Sequence, residues 1–65
     1  MMSIFNQKKQ CRDASDLDLQ PGRFPTELRF EGRLYRAKRS VKVVEELVSV
    51  IYVTEDGHIL EVLND

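Results

Sequence analysis

The chain has 65 residues, a net charge of −1, one cysteine and one histidine. A chain of this length folds as one domain at most and buries only about 60% of its unfolded surface, so it needs an unusually good core or a partner. Cys11 alone excludes a disulfide scaffold, and Cys11 with His58 cannot make a four-ligand zinc cage.

A lone cysteine fits a reducing cytoplasm. The longest uninterrupted apolar run is Val50 to Val53, far short of the roughly 20 residues that span a bilayer. Lys8 and Lys9 follow the short apolar start at Ile4-Phe5 rather than precede it, which is the wrong order for a secretory signal. The expectation is a cytoplasmic protein with no membrane, metal or cofactor.

Residues 1–23 read as an N-terminal tail, mobile or weakly docked. They are polar, lack period-2 alternation and end near the breaker Pro21-Gly22. Ser3 is a possible cap for a short helix carrying Ile4, Phe5 and Lys8, but isolated helices of this length are marginal in water. Asp16-Leu17-Asp18-Leu19 alternates weakly and could dock as an extended arm.

Residues 24–65 read as a small antiparallel β domain. Thr26 to Phe30 alternates, and Glu31-Gly32 supplies a two-residue hairpin turn with glycine where positive φ is needed. The returning strand then sets Phe30 opposite Arg33, Leu28 opposite Tyr35 and Glu27 opposite Arg36, and continues to about Val43. A turn is expected at Glu45-Glu46. Leu47 to Thr54 is rich in β-branched residues and reads as the third strand. Asp56-Gly57 signals a second hairpin. A two-residue turn there pairs Glu55 with His58, Val53 with Leu60 and Ile51 with Val62. It leaves Val50, Tyr52, Ile59 and Leu63 on a second apolar face. The fold class is therefore mainly β: a four-stranded antiparallel meander of two hairpins, able to curl toward a small SH3-like barrel, with a flexible or short-helical N-terminal segment.

Charge is divided between the hairpins. Residues 23–42 carry seven basic side chains (Arg23, Arg29, Arg33, Arg36, Lys38, Arg39, Lys42) against Glu27 and Glu31, a net +5. Residues 43–65 carry Glu45, Glu46, Glu55, Asp56, Glu61 and Asp65 and no cation, a net −6. The catalytic inventory is thin. His58 directly follows a turn, Cys11 stands alone in a polar stretch, and the glycines are turn residues rather than a phosphate loop. The sequence thus predicts a non-enzymatic protein-interaction or self-associating module. Its interface is Val50, Tyr52, Ile59 and Leu63, and its partner is another protein or a second copy of the chain. The alternative is a nucleic-acid binder using Arg29, Arg33, Arg36, Lys38, Arg39 and Lys42. A pI near 5.8 and the inward register of Phe30 and Tyr35 weigh against it.

Overall fold

The computed structural model describes residues 9–64. Among these residues five strands form one sheet: β1 (Lys9–Asp13), β2 (Glu27–Phe30), β3 (Arg33–Val43), β4 (Glu46–Val53) and β5 (Ile59–Leu63), with a 3-10 turn at Ala14–Leu17. Spatial order is β1-β5-β4-β3-β2, and the sheet curls into a half-barrel. The chain is therefore mainly β, as its alternation predicts, with one strand more than expected. No helix among the described residues is long and apolar enough to cross a membrane.

The first hairpin has the expected register, with Glu27 opposite Arg36, Leu28 opposite Tyr35 and Phe30 opposite Arg33. Glu31 and Gly32 both adopt positive φ, 53° and 79°, which is the type I′ geometry whose twist matches that of the flanking strands. The β3–β4 turn falls one residue earlier than expected, at Val44-Glu45, again with both φ values positive, 50° and 63°. Bulges between Ala37 and Arg39 and between Val41 and Lys42 interrupt the β3–β4 ladder. Bulges bend a strand and increase its local twist, which helps the sheet curl.

The second hairpin differs from its expected register by one residue. Thr54 pairs with His58 through their backbones, N to O at 3.0 Å, so the loop is the three residues Glu55-Asp56-Gly57. Gly57 closes it at φ 95°. Val53 then faces Ile59, Tyr52 faces Leu60, Ile51 faces Glu61 and Val50 faces Val62. A slip of one residue turns every side chain of a strand to the opposite face. Hence Val50, Tyr52, Leu60 and Val62 share the concave face.

The described part of residues 1–23 begins with a strand docked on the sheet. Lys9–Asp13 forms a parallel ladder with Ile59–Leu63, from Lys9 opposite Ile59 to Asp13 opposite Leu63. Short, polar and lacking an apolar alternation, this edge strand gives no period-2 signal of its own. Its ladder is supplied by a neighbour distant in sequence. Ala14 follows it into the core, fully buried, and the 3-10 turn is closed by Leu19 N–H donating to the Ala14 carbonyl at 3.0 Å. The possible helix at Ser3–Lys8 lies outside the described residues.

The core on the concave face is Ala14, Tyr35, Val50, Tyr52, Leu60 and Val62, with Leu17, Leu19, Phe24, Leu28, Phe30 and Leu47 packed against it. Tyr52 keeps its hydroxyl satisfied by donating to the Pro25 carbonyl at 2.7 Å, and burial pushes its pKa up. Side chains of β1 cross the open side of the half-barrel. Gln10 Nε2 donates to Glu31 Oε1 at 3.1 Å, and the Arg12 guanidinium lies 5.3 Å from the Phe30 ring centre. The two edges of the sheet are thus tied by side chains rather than by a backbone ladder.

Candidate interaction surface

The convex face of the sheet is laid out in three cross-strand rows. Lys9, Ile59, Val53, Arg36 and Glu27 form the first; Cys11, Glu61, Ile51 and Arg39 the second; Asp13, Leu63, Ser49 and Val41 the third. Val41, Ile51, Val53, Ile59 and Leu63 are half-buried, yet none belongs to the core or packs against it. They form an apolar stripe along the outer face, flanked by charge. At the β4–β5 turn the stripe opens into a cleft of about 540 Å³ lined by Leu34, Arg36, Val53, Thr54, Glu55 and Asp56. Leu34 is 41% exposed there.

One carboxylate sits at the centre of this face. Glu61 accepts a hydrogen bond from the Ser49 hydroxyl at 2.7 Å and an ion pair from Lys9 Nζ at 3.3 Å. The Ser49 hydrogen bond, then Lys9 and Arg39, hold its pKa below the ordinary 4.5 against the opposing effect of burial. Ser49 itself is fully buried, with its polar atom satisfied by this contact. The apolar stripe therefore carries a fixed polar centre that joins β1, β5 and β4.

At the cleft, Asp56 accepts from the Thr54 hydroxyl and lies 3.2 Å from His58 Nδ1. The Thr54 hydrogen bond, and then His58, lower the Asp56 pKa from 3.8. The same Thr54 oxygen accepts the His58 backbone N–H at 2.9 Å. All three residues are engaged in closing the loop.

Glu61 and Asp56 make stability depend on pH. Both carboxyls have lowered pKa values in the fold, so the unfolded chain binds more protons as pH falls. Their contribution is complete above the ordinary values of 4.5 and 3.8 and is lost as pH falls through the lower folded values. The melting temperature should fall on acidification below about pH 5, and Glu61→Gln should flatten part of that fall. Thermal unfolding followed by circular dichroism from pH 7 to 3 tests this, and an unchanged slope in the variant removes Glu61 from the account.

The four residues predicted as an interface are split by the register of β5. Val50 and Tyr52 are core, buried at 4% and 0% exposure, whereas Ile59 and Leu63 lie on the outer face. Ile51 and Val53, expected to pair with Val62 and Leu60, join Ile59 and Leu63 there. The signal that could have found this is Thr54. A threonine two residues before Asp56 caps the loop from the residue that precedes it and lengthens the turn to three residues.

The predicted basic set lies on or beside the first hairpin but is not a uniform patch. Arg36 Nε pairs with Glu27 at 3.1 Å, Arg39 faces the Glu61 row, and Arg29 shares the outer face of β2 with Glu27. Arg33 starts β3 beside the Glu31-Gly32 turn, while Lys38 and Lys42 stand at the two bulges. Cys11 is exposed at the β1 end of the second row. No family model, curated protein or solved structure matches the chain.

Proposed function

We propose that the protein is a non-enzymatic interaction module that self-associates through the convex face of its sheet. The observation that carries this reading is the stripe of Val41, Ile51, Val53, Ile59 and Leu63, half-buried but packed on no core. Exposed contiguous apolar surface rimmed by polar groups marks interaction sites. The charges around the stripe favour a second copy as the occupant. A two-fold axis parallel to β4 lays β5 of one copy over β3 of the other. Ile51 then meets its own equivalent, Leu63 covers Val41 of the other copy, and Glu61 faces Arg39. Both halves of the contact are made at once, as a two-fold interface requires, and opposite charges fix its register.

Ile51→Lys places two like charges at the centre of that contact. It should weaken the dimer by about a hundredfold or more while leaving the monomer folded. Sedimentation equilibrium from low to high micromolar concentration, alongside the far-ultraviolet spectrum, reads both quantities. A native chain that stays monomeric throughout this range, or an association that Ile51→Lys leaves intact, overturns the proposal.

A further inference from the structure

β3 is longer than the strand that covers it. β2 pairs with Arg33 to Arg36, and the Ala37 N–H donates to the Thr26 carbonyl at 2.8 Å, where that pairing ends. From Lys38 to Val43, β3 is bonded to β4 alone, and among the described residues no strand lies on its other side. Every residue of this segment is exposed except Val41, which is half-buried. Such an edge offers unpaired N–H and C=O groups in extended geometry, a template for one more strand.

The side chains say which strand it suits. Lys38–Val43 carries Lys38, Arg39 and Lys42 and no acidic residue. A second copy is a poor occupant. Antiparallel pairing of two such edges would bring these cations together, and like charges directly opposite are destabilising. Neither β4 nor β5 offers another copy its acidic residues at a free edge, because both are paired on their two sides along most of their length. Val41 and Val43 follow Arg39 on the outer side of β3, so an added strand would lie beside apolar residues there. From these observations we propose that the Lys38–Val43 edge captures an extended acidic segment of another protein, in which acidic residues alternate with β-branched ones. The segment becomes a sixth strand beside β3. Main-chain hydrogen bonds hold it, and Lys38, Arg39 and Lys42 select it by charge. The two readings share Arg39 and Val41 but use different groups of β3, the free backbone edge here and the outward side chains in the dimer, and the Ile51→Lys variant tells them apart.

The test uses the full chain and the Ile51→Lys variant with an end-capped eight-residue peptide in which glutamate alternates with valine. A lysine-for-glutamate counterpart, an N-methylated version and a single-stranded oligodeoxynucleotide of equal charge are the comparisons. Fluorescence anisotropy should show the glutamate peptide binding both proteins alike. Affinity should fall about tenfold with the lysine counterpart, with Lys38→Glu/Lys42→Glu, and on raising salt well above 0.1 M. N-methylation of the bonding amides should abolish binding. Alternate amides of Lys38–Val43, exchanging freely in the unbound chain, should become protected with the peptide present. No peptide binding at millimolar concentration, indifference to N-methylation, protection already present without peptide, or tighter binding of the oligonucleotide each overturns the proposal. The last of these would assign the basic edge to nucleic acid instead. Association measured in parallel reports on the Ile51 surface independently.

Discussion

Leu60→Ala should cost the fold about 2–5 kcal/mol, the range for deleting a fully buried leucine side chain. A core this small rarely supplies more than about 3–5 kcal/mol, so the variant is expected to be largely unfolded at room temperature. Its neighbour provides the control. Ile59 lies on the outer face and packs on no core, so Ile59→Ala should cost the monomer far less. Equilibrium urea unfolding of both variants reads the difference. The pairing can be tested separately with milder substitutions. Tyr52→Phe with Leu60→Val should show an interaction energy in a double-mutant cycle, whereas Val53→Ala with Leu60→Val should be additive. Coupling of Val53 rather than Tyr52 to Leu60 would restore the two-residue turn and turn β5 over.

The second expectation concerns the β3–β4 turn. Val44 sits at φ 50° and Glu45 at φ 63°. A left-handed conformation costs an L-residue about 1–2 kcal/mol, and a β-branched one is poorly suited to it. Nothing packs on Val44 in return, since it is 90% exposed. Replacing the pair with the residues a type I′ turn favours, Val44→Asn with Glu45→Gly, should stabilise the chain by about 1–3 kcal/mol. For a domain of this size that is a rise of about 5–20 °C in Tm, readable by calorimetry. A Tm that stays level or falls would mean that the turn relaxes to another geometry in solution.

The first hairpin was legible because two local signals agreed. Alternation from Glu27 to Phe30 and glycine at position 32 both specify the same register, and Glu27 and Arg36 meet as an ion pair at 3.1 Å. The second hairpin carried a conflict. Asp56-Gly57 favours a two-residue turn, while the Thr54 hydroxyl bonds across three residues to the His58 N–H and to Asp56. Periodicity could not arbitrate, because both faces of β4 and β5 are apolar and either register buries four large side chains. The candidate surface inherited that ambiguity, so Ile51 and Val53 exchanged places with Val50 and Tyr52. β1 was invisible for a different reason. Five residues reading Lys-Gln-Cys-Arg-Asp hold no strand signal, and their pairing depends wholly on β5, far away in the sequence.

The β1–β5 ladder has a consequence for how the chain reaches its fold. Each of the other strand pairs joins neighbours in sequence and can close locally, through the turns at Glu31-Gly32, Val44-Glu45 and Glu55–Gly57. β1 has no partner until Ile59–Leu63 exists, so during synthesis it must wait until the last strand of the sheet has left the ribosome. Until then the core lacks its lid at Ala14 and the edge of β5 is bare. Closing so large a loop is entropically costly and slow relative to the hairpins. The fold is completed by joining its first strand to its last, and the interval before that joining is when the chain is most exposed to aggregation and proteolysis.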